Sequence, residues 1–422
     1  MSSKPGDNIN FNLPNHWTWH QLNDLISEDK RSIISGPFGS NISSKYFVDE
    51  GIPVIRGNNL SLSLERFIDD GYVFVSEEKA NELNAWAEKD DILFTAAGTI
   101  GQVGIIGENT KFRKYIISNK QIRVRLNKEL INPLFAYYWL ACPLMIEYIK
   151  QRNTGSTIPL INLSIVKSLP IPVPPISEQN KIVLILSTLD QKIALNRQTN
   201  STLESIAKVI FNEWFVNFNF PEATGSLQDS DLGKIPQGWK VLPLDEIADF
   251  LNGLALQKFP AENDLSYLPV IKIRELKNGI TNSSDKASRE IPSKYIIQDG
   301  DLLFSWSGTL EVKFWVGGEG ALNQHLFKVT SKDYPMWFCY FWLLHHLDEF
   351  RSIAEDKTTT MGHIQRGHIS SALCLVPNNL EQMDIVLKPI LEKIINNEKE
   401  ALSLKQIRDE LLLRLTSGKL AV

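Results

Sequence analysis

The sequence predicts an α+β protein in which two homologous globular parts are separated by two long antiparallel coiled-coil helices, with pseudo-two-fold symmetry. Three observations predict it. The chain of 422 residues repeats itself once: Trp17, Pro53-Val54-Ile55, Asp91-Ile92-Leu93-Phe94, Asn119 and Pro174 recur in the same order as Trp239, Pro269-Val270-Ile271, Asp301-Leu302-Leu303-Phe304, Asn323 and Pro377. The spacing, roughly 200 residues, shrinks smoothly along the chain, as it does between two diverged copies and not in an array of short repeats. Each copy then closes on Pro, Glu-Gln (Glu178-Gln179 and Glu381-Gln382) and a run of apolar residues at alternating steps of three and four, the spacing of a coiled-coil seam.

Within each globular part, short runs rich in Val, Ile and Phe are punctuated by Gly, Asn and Asp, as in residues 51–59, 90–106 and 121–126, and read as strands and turns. Residues 131–151 and 334–354 read as apolar helices. Pro174-Pro175 cannot continue a helix and marks a boundary. Beyond it, Ser177 is a candidate N-cap with Glu178 in the first turn, where a carboxylate complements the helix dipole. The first seam runs through Ile182, Leu186, Leu189, Ile193, Leu203, Ala207 and Ile210, with Asn196 and Asn200 in its middle, where buried Asn sets register at a cost in stability. In the second copy, Asn378 stands three before Glu381 as in a capping box. The seam there runs through Leu387, Ile390, Ile394, Asn397, Ala401, Leu404, Ile407, Leu411 and Leu415 to Gly418, which suits a left-handed cap.

A helix from Ser177 to Phe215 would span roughly 58 Å at ~1.5 Å per residue. It leaves the first globular part and arrives at the second, so a second helix that pairs with it must run back, leaving the globular parts at opposite ends. Two separated heads about a two-fold axis match a DNA duplex whose half-sites lie about one turn, ~34 Å, apart. The segments read from the sequence are 1–153 (first head), 154–222 (first helical region), 223–357 (second head) and 358–422 (second helical region).

Net charge is −5 and the pI is near 5.9, so the bulk composition does not announce a nucleic-acid binder. Locally the picture differs: residues 111–128 carry Lys111, Arg113, Lys114, Lys120, Arg123, Arg125 and Lys128 without one acid. Such a run can neutralise phosphates and release counterions, or it can be a solvated strand face. The N-terminal residues lack a leader pattern and no stretch of roughly 18 apolar residues exists, so no membrane segment and a cytoplasmic location are expected. Three widely spaced cysteines, Cys142, Cys339 and Cys374, read as buried thiols in a reducing compartment.

Catalytic motifs are sparse. Asn132-Pro133-Leu134-Phe135 lacks the second proline and the glycine-rich partner that adenine methylation needs, and reads as a helix start. Asp301 with Glu311 and Lys313 imitates a nuclease spacing, but the first copy has Gly101-Gln102-Val103 at the second site. His345, His346, His363 and His368 with Cys339 or Cys374 match no common zinc spacing. No metal site and no enzymatic activity are expected.

Residues 35–59, 91–106, 153–183 and 358–369 resemble the specificity subunits of Type I restriction–modification enzymes, and the resemblance covers almost the whole chain in the family's order of recognition domain, conserved helix, recognition domain, conserved helix. It implies a non-catalytic subunit that reads a two-part target in double-stranded DNA and recruits two adenine-methylating modification subunits, joined by motor-nuclease restriction subunits. S-adenosylmethionine, ATP and magnesium would belong to those partners. The alternatives are a combined restriction–modification enzyme and a coiled-coil DNA-binding adaptor.

Base-reading residues vary in such a family by design, so candidates come from the polar residues that flank glycine turns, where backbone can approach DNA. In the first head these are Ser35, Ser40, Lys45, Arg56, Asn58, Lys120 and Gln121; in the second, Lys258, Lys272, Arg274, Ser305, Ser307, Gln324 and His325. Arg can fork onto guanine and Gln or Asn onto adenine, while Lys more often holds phosphate. Lys111, Arg113, Lys114, Arg123 and Arg125 are the phosphate candidates. Phe38, Tyr46 and Trp306 are expected in the core.

Overall fold

A computed structural model describes residues 9, 12–263, 265–355 and 362–422. The leader reading at residues 1–8, 10 and 11, and residues 358–361 of the family-like segment, lie outside the described residues. The chain divides into two compact units, Met1–Asp190 with Gln406–Val422, and Gln191–Lys405.

The repeat seen in the sequence is a repeat of topology. In the first unit a four-stranded antiparallel sheet runs in the order Ile33–Ser35, Gln121–Val124, Ile92–Thr95, Val103–Ile105. The second unit repeats it as Asp249–Asn252, Leu326–Thr330, Leu302–Ser305, Val312–Phe314. A second sheet in each unit contains one parallel pair, Val54 beside Ile116 and Val270 beside Ala321. Each unit is also closed by the strand that precedes its Pro: Thr18–Gln21 pairs with Pro170–Val173, and Lys240–Pro243 with Leu373–Val376. Buried Val, Ile and Leu on these strands supply the cores.

The expected apolar helices form, with one difference. Residues 131–151 make two helices, Pro133–Leu140 and Pro143–Lys150, because Pro143 lacks the N–H that a continuing helix would use. The second copy has no proline there and runs as one helix, Met336–Glu355. Asn132 caps the first of these through the Leu134 N–H at 2.9 Å.

The long helices are Ile176–Phe211 and Glu381–Thr416, each of 36 residues, and the first continues through a π-turn at Asn212–Val216. Their starts differ in detail from the expectation. The Pro175 carbonyl, not Ser177, accepts the first N–H groups, from Glu178 at 2.9 Å and Gln179 at 3.1 Å. Glu178 instead accepts from the Trp17 indole at 3.1 Å, and the buried Gln179 side chain accepts from the Asn132 N–H at 2.7 Å. In the second helix Asn379, one residue beyond the expected Asn378, caps the Glu381 N–H at 2.8 Å. The C-terminal cap is as expected, with Gly418 at φ 71°.

Pairing of the two helices is antiparallel in each unit taken by itself. In the second, Asn196 donates to Glu400 at 2.8 Å while Asn200 donates to the Ile394 carbonyl at 3.0 Å and accepts from Asn397 at 2.8 Å, so rising numbers on one helix meet falling numbers on the other. In the first, Ile182 and Leu186 share a core with Leu412 and Leu415. One seam position departs from the expected series: Ile407 is exposed and Arg408 is buried in its place. Arg408 turns inward because it donates to Asp190 at 2.9 Å, and Asp190 also accepts from Arg66 at 3.1 Å and Tyr138 at 2.6 Å.

Candidate nucleic-acid interface

In the first unit the fold gathers four of the seven expected base-reading residues, Arg56, Asn58, Lys120 and Gln121, around one open cleft of about 490 Å³. The walls come from two turns. One follows the parallel strand Ile52–Ile55 and carries Arg56 and Asn58; the other joins Lys114–Ile117 to Gln121–Val124 and carries Ser118, Asn119 and Lys120. Asn59, fully buried, holds the first turn by donating to the Ile68 carbonyl at 2.9 Å and the Asp70 carbonyl at 2.8 Å. Thr95 and Gln102 line the floor but are bonded to each other at 2.7 Å, and Gln102 donates to the Leu60 carbonyl at 2.8 Å. Arg56, Asn58, Asn119 and Lys120 are exposed, so their donors and acceptors can reach a base edge or a phosphate.

Gln121 belongs to the frame and not to the reading surface. It is fully buried, bonded to Ser118, and with its amide oriented to suit its neighbours accepts from the Gly57 N–H at 3.1 Å and donates to the Ile55 carbonyl at 3.2 Å. Asn119 is the residue that the sequence reading passed over; its place beside Lys120 in a turn between strands was the available signal. Ser35, Ser40 and Lys45 are exposed outside the cleft walls, and the Lys45 ammonium lies 4.7 Å from the Tyr46 ring. Phe38, expected in the core, is 84% exposed.

The basic run is partly neutralised by acids that the fold brings from elsewhere in the chain. Arg123 is buried, donates to the Ser32 carbonyl at 3.1 Å and lies 3.7 Å from Asp91; burial pulls its pKa down, and it presents nothing to a phosphate. Arg125 grips Asp91 through two bonds of 2.9 and 2.8 Å and also meets Glu88, and those hydrogen bonds hold its pKa above the ordinary arginine value. Neither fits the expected phosphate role. Lys111 pairs with Asp70 at 2.9 Å on the surface. Lys114 lies 6.0 Å from the Trp86 ring and, like Arg113 and Lys120, is exposed; none of these three forms an ion pair among the described residues.

The same place in the second unit carries different chemistry. Ser307 Oγ is 3.0 Å from His325 Nδ1, Gln324 Nε2 is 3.4 Å from His325 Nε2, and the Trp306 indole donates to Asn252 at 3.0 Å and to the Gln324 carbonyl at 3.1 Å. Gln324 and His325 remain half-exposed, while Ser307 is buried. Ser305 is fully buried and donates to the Thr309 carbonyl at 2.7 Å, so it shapes the turn and is not available to a base. Lys272 is paired with Asp285, and Arg274 with Glu275 and the Ser283 carbonyl. Lys258 is exposed on a short turn. Trp306 is half-buried.

Gly36 and Gly253 occupy equivalent positions, but the close approach they permit is to the chain itself. A Cβ on Gly36 would lie 1.8 Å from the Ser118 carbonyl oxygen, and one on Gly253 would lie 2.2 Å from that of Asn323. The nuclease-like trio disperses: Asp301 pairs with Lys328, Glu311 with Lys277 and Lys313 with Glu398. Among the described residues no three His, Cys, Asp or Glu side chains converge as a metal site, and no helix is long and apolar enough to cross a membrane.

The family model for the Type I restriction modification DNA specificity domain matches residues 16–205 and again 236–407. A Type I restriction enzyme specificity subunit from Methanocaldococcus jannaschii, MjaIX, is 26% identical over 429 residues, covering 97% of this chain and 95% of that one. The HindI specificity subunit of Haemophilus influenzae is 24% identical, covering 79% and 87%. The crystal structure of a Type I restriction–modification S subunit from M. genitalium superposes with a TM-score of 0.57 at 16% identity, over 98% of this chain and 99% of that one, which shows a shared fold.

Proposed function

The chain belongs to the Type I restriction modification DNA specificity family, and from that membership we propose that its two heads each read one half of a split target in double-stranded DNA. The observation that carries this reading is the repeated sheet with unlike residues at the same place. An Arg, Asn and Lys cleft in one unit answers to a Trp, Ser, Gln and His cluster in the other. One scaffold with two chemistries is what two different half-sites require. The paired helices, about 54 Å long at ~1.5 Å per residue, serve as the spacer and as a docking surface for two modification subunits, to which restriction subunits add.

The chain supplies an address and no reaction. S-adenosylmethionine is held by the methylating partners, ATP and magnesium by the motor-nuclease, and the assembly works in the cytoplasm. Arg56, Lys120 and Arg113 meet phosphates or bases in the first head; replacing any one that neutralises a phosphate lowers the slope of log affinity against log salt by about 0.9. The test is coexpression with the neighbouring modification subunit, followed by mapping of methylated adenines. A split motif that appears only with this chain present is expected; the same motif methylated without it overturns the reading.

A further inference from the structure

Resting on that DNA-reading role, we infer that Phe38 is a wedge that stacks against a base step of the first half-site and unstacks it. A lone apolar residue on a surface is ordinary. Phe38 differs in three respects. Among the described residues it is the one exposed Phe or Trp, at 84%. Its turn is fastened to the cleft wall on both sides: the Gly36 N–H donates to the Gln121 carbonyl at 2.9 Å, with no room for a Cβ against Ser118, and Gly39 lies against the Asn119 amide. The turn also closes on itself, the Asn41 N–H donating to the Phe38 carbonyl at 2.8 Å.

The ring is thus presented on a backbone whose order does not have to be created on binding, in a turn that lies against Asn119, one of the exposed polar groups of the cleft. Apolar wedges of this kind insert between base steps, and the contacts that the bent duplex gains offset the unstacking. Every base has a π-face, so the ring adds affinity and deformability-based selection and leaves hydrogen-bond readout to its neighbours. The equivalent turn of the second unit holds its apolar residues inward. Leu256 is buried, and Leu254 and Phe259 pack against the same core. The wedge is therefore a property of one head, and the other is its internal control.

The experiment uses the full chain assembled with its modification subunit and a duplex bearing the split motif read from methylation mapping, with 2-aminopurine placed in turn at each purine of both half-sites. Apart from the target adenines that the modification subunits take out of the stack, binding by the native chain should raise fluorescence at one step of the first half-site only. Phe38→Ala should abolish that rise and weaken binding roughly five- to hundred-fold, Phe38→Trp should restore both, and the melting temperature of the free chain should not move. An unchanged rise in Phe38→Ala, no rise with the native complex bound, or failure of Trp to restore would each overturn the wedge and leave the reading heads standing. Failure of the native complex to bind the duplex at all would overturn the DNA-reading role itself.

Discussion

The two units fasten the same pair of helices to the same kind of head by opposite means. In the first, Arg408 on the second helix, Asp190 on the first, and Arg66 and Tyr138 from the head form one buried ionic cluster. Burial alone would lower the Arg408 pKa, but hydrogen bonds and charge from Asp190 and from Asp409 together hold it above the ordinary arginine value. In the second, the first helix ends in Phe211 and Phe215, which stack at 4.7 Å and meet Trp342 and Trp239 in an aromatic core. The charged pair there, Lys313 with Glu398, is long at 3.9 Å and half-exposed. Geometry has been kept between the copies while the chemistry holding it has been replaced. An ionic cluster fixes orientation through directed bonds; an aromatic core contributes area and tolerates shape changes.

The largest expected effect is therefore at Arg408. Arg408→Ala removes one of the two arginines on Asp190 and should cost about 3 kcal/mol, the low end for a broken buried pair because Arg66 and Tyr138 still hold the carboxylate, against at most about 1 kcal/mol for Lys313→Ala in the other unit. Thiol labelling reads the units separately, since Cys142 is buried in the first and Cys339 and Cys374 in the second. Equal losses in both would break the contrast.

Next come the buried asparagines. Asn397→Leu removes the amide that donates to Asn200 and should destabilise by about 1–3 kcal/mol. The double replacement with Asn200→Leu should recover part of this, since neither position then holds an unpaired polar group. A double-mutant cycle in denaturant gives the interaction energy, and strict additivity would show that the pair does not act together. Gly36→Ala and Gly253→Ala should cost similar amounts, roughly 1–3 kcal/mol each, if the two turns are truly equivalent; labelling of Cys142 against Cys339 separates the two.

The smallest effect is with pH. Burial holds His345 and His346 below the ordinary histidine value, with His346 Nε2 at 3.0 Å from the Leu373 carbonyl. The unfolded chain then binds more protons than the folded one below about pH 6.5. Stability of the second unit is complete above that pH and declines as pH falls through the window down to the folded values. The denaturant midpoint at which Cys339 and Cys374 become reactive, read by mass spectrometry after a labelling pulse at one fixed pH, should fall as the unfolding pH is lowered from 7.5 to 5, and His346→Phe should reduce that fall.

Much of the architecture was legible because duplication and seam spacing are written in apolar residues, and burial follows them. Trp17 and Trp239, the strand blocks and the series from Ile182 to Ile210 needed only periodicity. Electrostatics was less legible. The run 111–128 contains no acid, yet Asp70, Asp91 and Asp90 meet it in space, a pairing that no local window contains. Arg408 took the seam position expected of Ile407 for the same reason, a partner far away in the chain. Gln121 and Ser305 carry reading-type side chains, but backbone partners had already claimed them, Ile55 and Gly57 far back in the chain for Gln121 and Thr309 in the adjoining turn for Ser305.

The claim on which the rest stands is that the heads are separate readers. A chain in which the first head is replaced by a second copy of the head at residues 223–357, coexpressed with the modification subunit, tests it by adenine-methylation mapping. Two independent readers predict a new motif in which one half-site is repeated and the other is lost. Retention of the original split motif would contradict them.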